Sequence, residues 1–450
     1  PMPRPRPRAL AHAASALAGL PWLTLAIASR TRGGVRPPAR WQHVARPPGA
    51  PRRRAVTISD ALDGGSIRVV SVEGAGARLR LRPECGAEGR PRCWFYFLAS
   101  GLPVGDEFRF RLDTSGCFPR SAFEPCARTG IPYLVCASYD AVTWFRCRNT
   151  AFADNSLRWS LDSAERGCCY FAYFEPYGPA KHRRFLAAAL ATGVPSADVL
   201  GQSLDGNDLD VLCYPASAQR RLGRRAGGGG DAANRRLAIW ITCRQHAMEV
   251  QASFFAEGVA SELAAETGGA LLDAADVFLL CNANPDGSQR GHTRGNAIGV
   301  DLNREWGGKA TATRSPEVLH AQSAMRRTGA DVHIDVHGEE TLPHVFAFPR
   351  IPLRASWLTP RQQRLLVAFS EALYRESGGA FQTQRGYREC GKSQRRCLAS
   401  TWSAFEFGGL SLTLEMPFRD CAESPDPSGG WTGDRSRDLG AAVVRSLRSL

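Results

Sequence analysis

No stretch of this 450-residue chain reaches the roughly eighteen consecutive apolar residues that a membrane-spanning helix needs, so no membrane span is expected. Acidic residues are missing from residues 1–59, where eleven arginines stand without a lysine; the first acid is Asp60. That gap governs how the formal net charge of +14 is read, because eleven of those charges lie in the leader and the remainder of the chain is nearly balanced. A nucleic-acid partner, which a strongly basic chain invites, is therefore not expected. C-x-x-C pairs are absent as well, although there are 14 cysteines. Six of these, at 85, 93, 117, 126, 136 and 147, form an even, clustered set that could make three disulfides. The other eight are scattered, several in apolar runs such as W-I-T-C and F-L-L-C where a free Cys behaves as a small hydrophobe, and reduced thiols are the expectation.

The length suggests two domains plus tails. Residues 1–59 carry Arg4, Arg6 and Arg8, an Ala/Leu-rich stretch to about Ala28, then an Arg/Pro/Gly-rich run. This resembles a targeting segment; a spacer from a GC-rich gene, with a truncated or mis-set start at Pro1, is the other reading, and both stay open. Neither offers a periodic apolar face, so the leader is expected to be disordered and dispensable for folding. Residues 60–172 break into short β-rich runs, among them Ser66 to Val72, Glu107 to Leu112 and Leu157 to Leu161. Alternation such as E-F-R-F-R-L marks half-buried strands and predicts a small all-β sandwich. From 173 to 450, strands at Leu237 to Cys243, Asp276 to Asn282, Val332 to Val336 and Leu410 to Leu414 alternate with helices at Gln251 to Glu266, Pro316 to Arg327, Pro360 to Ser377 and near Arg435 to Leu447. A hairpin is expected from Ser203 to Asp205 and Asp208 to Cys213 around Gly206-Asn207. The pattern predicts an α/β domain with a mixed, largely parallel sheet and helices on both faces, its site just past the strand ends.

The stretch R-L-A-I-W-I-T-C-R-Q-H-A-M-E, Arg236 to Glu249, carries the chemistry. Leu237 to Cys243 is too short and too β-prone for a helix. Beyond it His246 and Glu249, three apart, point the same way in a tight turn or a first helical turn. An imidazole and a carboxylate together suit a borderline-soft divalent cation, most commonly zinc. His337, closing V-H-I-D-V-H-G, is a candidate third ligand, although a lone His there is more often a satisfied core residue. H-x-x-E alone is a weak signal. It is accompanied by N-P-D-G at Asn284 to Gly287, Arg294, G-V-D-L-N-R at Gly299 to Arg304, and T-L-E-M-P-F at Thr413 to Phe418. In this order and spacing the set resembles the M14 zinc carboxypeptidases, most closely the cytosolic, deglutamylase-like subfamily and its bacterial relatives, over roughly residues 170–440.

The resemblance implies a catalytic domain from 173 to 450 behind the β-domain, with one zinc held by His246, Glu249 and His337 and a position left open for water, the ligand set of carboxypeptidase A. Asp301 would fix the His246 ring by accepting its other N–H, its alternative being a turn-forming Asp. Asn303 and Arg304 match the pair that grips a terminal carboxylate, which makes a hydrolase an exopeptidase. Arg294 matches the arginine that stabilises the developing oxyanion, with Arg290 as the alternative. Glu415, costly at the end of a buried strand without a role, matches the general base and acid. Tyr387 is the candidate for the tyrosine that closes on substrate. Lys392, with Arg395 or Arg396 in G-K-S-Q-R-R, resembles the subfamily's basic residues and implies a C-terminal acidic residue, glutamate from Glu-rich tails; a solvated basic loop is the other reading. The implied protein is a cytoplasmic zinc metallocarboxypeptidase acting on peptide or protein C-termini. Two further readings are a zinc amidase or deacylase, against which Asn303 and Arg304 argue, and a binding protein with a structural metal site, against which the intact catalytic set argues.

Overall fold

A computed structural model describes residues 55–84, 93–117, 119–223, 236–265, 269–350, 357–387 and 396–450. The expected leader up to residue 54, and Lys392 and Arg395, lie outside the described residues.

The N-terminal part is built from β1 (Thr57–Ser59), β2 (Arg68–Glu73), β3 (Gly76–Arg80), β4 (Tyr96–Ser100), β5 (Phe108–Asp113), β6 (Cys136–Ser138), β7 (Phe145–Arg146), β8 (Ala151–Ala153), β9 (Ser156–Leu161) and β10 (Cys168–Ala172). They form two five-stranded sheets, β1-β4-β10-β6-β7 and β2-β3-β5-β9-β8. Alternation decides which side faces in: Phe108, Phe110 and Leu112 of β5 are buried while Arg109 and Arg111 are exposed. The sheets meet through aromatic rings, with Phe110 of one sheet 4.5 Å between centroids from Phe171 of the other and stacked on Trp159 of its own at 5.2 Å. Strand β1 falls inside the stretch expected to be leader. Its Thr-Ile-Ser triplet is short but β-prone and pairs antiparallel with β4, so the sandwich starts at Thr57 and not at residue 60. Cys93, Cys126, Cys136 and Cys147 are buried free thiols.

The α/β part runs α1 (Pro179–Ala191), β11 (Ser196–Gln202), β12 (Asp208–Tyr214), α2 (Gln219–Leu222), β13 (Leu237–Cys243), α3 (Gln251–Ala265), α4 (Ala270–Ala274), β14 (Ala275–Leu280), α5 (Pro285–Arg290), α6 (Pro316–Thr328), β15 (Val332–Glu339), β16 (Phe346–Phe348), α7 (Pro360–Glu376), α8 (Ala399–Phe407), β17 (Leu410–Pro417) and α9 (Gly433–Leu447). The sheet order is β11-β12-β14-β13-β15-β17-β16. The four central strands are parallel and both edges antiparallel, so the parallel character expected from sequence is concentrated in the middle. Ser203 to Asp205, read above as the first strand of a hairpin, belong with Gly206-Asn207 to the turn; the strand itself is Ser196–Gln202, whose S-A-D-V-L-G-Q has no clean alternation.

Period two along the central strands places the site. Val332, Ile334 and Val336 of β15 and Leu410, Leu412 and Leu414 of β17 enter one hydrophobic cluster with Phe255 and Val259 of α3 and Val443 of α9. The intervening His333, Asp335, His337, Ser411, Thr413 and Glu415 therefore project from the opposite face. Behind the first face, α3 and α9 cross so closely that a Cβ on Gly258 would lie 1.9 Å from the Arg437 carbonyl oxygen, and one on Gly440 2.2 Å from that of Phe255.

Sandwich and α/β part make one compact unit, Arg53–Leu450. Two arginines stitch it in opposite directions. Arg146 of β7 donates to the carbonyls of Phe418 at 3.0 Å, Trp431 at 2.9 Å and Gly429 at 3.3 Å. Arg419, just past β17 and buried, donates to the carbonyls of Ser121, Ala122, Glu124 and Ile131 in the sandwich and of Glu340. Among the described residues neither pairs with a carboxylate; backbone oxygens take the terminal N–H groups of Arg419, and the Nε and terminal N–H groups of Arg146. Gly258→Ala is expected to lower stability by about 1–3 kcal/mol or more through overpacking of the α3–α9 crossing. A urea midpoint equal to wild type would contradict this.

Candidate active site

Strand β13 ends at Cys243, and Arg244 then adopts a left-handed backbone conformation, φ 60°, which turns the chain out of the sheet. Its buried guanidinium fixes the turn by donating to the carbonyls of Ala247 at 3.0 Å and Tyr177 at 2.6 Å. Glu249 N–H then bonds back to the His246 carbonyl, which brings the two side chains onto one side. His337 approaches from the neighbouring strand β15, and Glu415 is its direct register partner on β17.

Three side chains converge. Nδ1 of His246 lies 2.7 Å from Glu249 Oε1, Nδ1 of His337 lies 2.8 Å from Glu249 Oε2, and the two ring nitrogens are 3.1 Å apart. All three residues are buried, and one donor atom from each lies within 4.8 Å of the others. The remote ring nitrogens are already engaged. Nε2 of His246 faces Asp301 Oδ1 at 3.1 Å, and Nε2 of His337 faces Asp335 Oδ2 at 2.8 Å. Carboxylates behind both rings leave both Nδ1 lone pairs for the centre, and two imidazoles plus one carboxylate match the donors of a catalytic zinc site. Across from them, Glu415 Oε2 is buried with no hydrogen-bond partner among the described residues. This donor set fits a divalent cation.

The charges are mutually arranged. Burial alone would raise Glu249, but His246 and His337 hold it below the usual carboxylate range. Burial works the same way on Asp301, where Arg294, whose Nε donates at 2.7 Å, and His246 hold it well below. Glu415 goes the other way, lifted by burial and by Glu249 against the opposing pull of His337. Glu340 is pushed up to about 8 by burial and by Glu339 and Glu249.

A cavity of about 370 Å³ is lined by His246, Glu249, His337, Arg294, Asn303, Arg304, Tyr387 and Glu415, together with Glu340, Phe348, Leu398 and Thr413. Asn303 is oriented by the Ala399 N–H, which donates to its side-chain oxygen at 2.8 Å, and Tyr387 OH donates to Glu339. Asp301 stands behind His246. Arg290 is elsewhere, forked onto Asp205 at 2.8 and 2.7 Å, and Arg396 is exposed. Lys392 lies outside the described residues. Sequence reasoning missed Asp335, Glu339 and Glu340. For Asp335 the signal existed, since a residue two before His337 in a strand shares its face.

Residues 58–174 match the family model for the cytosolic carboxypeptidase N-terminal domain, and residues 188–333 match that for zinc carboxypeptidase. A metallo-carboxypeptidase from Burkholderia cenocepacia is 34% identical with a TM-score of 0.76, the alignment covering 87% of this chain and 98% of that one. The chain belongs to the M14 zinc carboxypeptidase family. A second structure, the metallo-carboxypeptidase from Pseudomonas aeruginosa solved in complex with (2-guanidinoethylmercapto)succinic acid, is 33% identical with a TM-score of 0.75, the alignment covering 87% and 98% of the two chains. An uncharacterized protein of Zymomonas mobilis is 33% identical over 400 residues, 87% of this chain and 96% of that protein. As an M14 metallocarboxypeptidase the protein is a hydrolase acting on peptide or protein C-termini, in a family whose metal is zinc. No helix among the described residues is long and apolar enough to cross a membrane. Asp335→Asn is expected to weaken metal affinity roughly 10–100-fold by loosening the His337 ring. Competition with a chelator measures this, and unchanged affinity would remove Asp335 from the site.

Proposed function

We propose that the protein binds one zinc through His246, Glu249 and His337 and releases the C-terminal residue of peptides, with Glu415 as its proton shuttle. The observation that carries this is the register pairing of Glu415 with His337, which sets a partnerless carboxylate oxygen in the same cavity as the three metal-facing groups, Asn303 and Arg304. Bound zinc supplies Lewis acidity. Arg304 and Asn303 hold the substrate's terminal carboxylate, the guanidinium and amide together offering forked donors. Arg294, held by Asp301, faces the oxygen that gains charge as the scissile carbonyl is attacked. Glu415 takes a proton from the attacking water and returns it to the leaving amine. Tyr387, linked to Glu339, closes the cavity over the last residue.

Glutamate is the proposed terminal residue, drawn from Glu-rich tails and recognised by Lys392 with Arg395 or Arg396. Supporting this is the match of residues 58–174 to the N-terminal domain of cytosolic carboxypeptidases. The same match, with the buried free thiols, supports a cytoplasmic location. One observation favours a second reading: Glu340 lines the cavity, and a carboxyl there suits a basic terminal residue.

Glu415→Gln should keep zinc and lose turnover by roughly a hundredfold or more, since it removes the shuttle and no ligand. Wild-type rates in that variant would place the base elsewhere. Across a peptide panel differing only in the last residue, glutamate should be released roughly a hundredfold faster than neutral residues, and Lys392→Ala should erase the preference. Faster release of lysine or arginine, read by mass spectrometry, would decide for Glu340.

A further inference from the structure

Glu84 belongs to the sandwich, between β3 and β4, yet its carboxylate reaches into the α/β part. It accepts three consecutive backbone N–H groups from the loop that carries Arg294. Thr293 donates to Oε2 at 2.9 Å, Arg294 to Oε1 at 3.1 Å, and Gly295 to Oε1 at 2.7 Å. Glu84 is buried, and the segment leading into β4 sends a second bond to the same loop, from Trp94 N–H to Thr293 Oγ1 at 3.1 Å. A charged acceptor with three backbone donors is among the stronger local anchors a loop can have, because both oxygens are used and the loop N–H groups gain partners they would otherwise lack.

The loop leads in two directions, both toward the reacting groups. The Thr293 carbonyl accepts the N–H of Met248 at 3.0 Å, inside the turn between His246 and Glu249. The Arg294 side chain bonds Asp301, which in turn bonds His246. Asn284 holds the far side of the loop, donating to the carbonyls of Arg294 at 3.3 Å and Gly295 at 3.1 Å. The loop is thus clamped between an amide of the α/β part and a carboxylate of the sandwich.

We propose that Glu84 is a positioning residue through which the sandwich sets the place of Arg294, so that the N-terminal part is a component of the catalytic apparatus. This rests on the reading of Arg294 given above. Glutamine at this position keeps the shape but presents an NH2 group to at least one of the three N–H donors and removes the charge, so the anchor is weakened without a cavity forming.

The test is a double-mutant cycle on the zinc-loaded full chain, with the best peptide of the panel, comparing wild type, Glu84→Gln, Arg294→Ala and the double variant. Glu84→Gln is expected to lower kcat roughly 10–100-fold with little change in KM or zinc content. In the Arg294→Ala background the same change should cost less than about twofold. Glu84→Asp, which keeps the charge, should recover part of the rate. Hydrogen exchange at Thr293 to Gly295 should accelerate in Glu84→Gln. Equal costs in both backgrounds, or unaltered exchange at those amides, would overturn the proposal; Glu84→Asp is the fallback for the exchange measurement if Glu84→Gln does not fold. Full activity of Arg294→Ala alone would overturn the reading of Arg294, and the catalytic part of this proposal with it, while the exchange result judges the anchor separately.

Discussion

Like charges packed out of water are the constraint on which this site depends. Glu249, Asp301, Asp335, Glu339 and Glu415 crowd around two imidazoles within one buried or half-buried region. Carboxylates this close cannot all remain charged without specific compensation. The fold provides it group by group. Asp301 takes Arg294 and His246; Asp335 takes His337 and, at 2.6 Å, the amide of Gln245. Glu339 is tied to Tyr387 and to the N–H groups of Thr341 and Leu342. Glu249, bonded to both imidazoles, and Glu415 are left facing the cavity, where a divalent cation held by His246, Glu249 and His337 would balance part of the negative charge.

Strand register is what turns this chemistry into geometry. His337 and Glu415 pair across β15 and β17, and Asp335 shares their face two residues back. Were either strand to slip by one residue, Val336 or Leu414 would point into the site and the acids into the helices α3 and α9. The apolar alternation of these strands is therefore both their folding signal and the device that aims His337 and Glu415 into the cavity.

That double use explains what was legible beforehand. The runs Leu237–Cys243, Val332–Val336 and Leu410–Leu414 announce themselves by composition, and His246, Glu249, His337 and Glu415 stand at or near their ends, where the fold gathers them around one cavity. Strand β11 and helix α8 were not resolved beforehand, because S-A-D-V-L-G-Q has no alternation and A-S-T-W-S-A-F-E-F is largely buried through its first two turns, leaving no polar stripe to reveal a helical period. Glu84 was beyond reach for a different reason: its partners begin 209 residues away, and nothing in a one-dimensional pattern joins them.

The paired arginines carry a consequence for how the chain comes off the ribosome. Three of the four carbonyls that receive Arg146 belong to Phe418, Gly429 and Trp431, which are 272 to 285 residues downstream. At typical synthesis rates they emerge roughly 15 to 60 seconds later. Through that interval the Arg146 guanidinium of the nascent sandwich stays in water, without three of its carbonyl partners. Its final packing belongs to the same late event that seats β17 and α9, and a chain halted short of residue 418 would leave a charged seam for quality control to find.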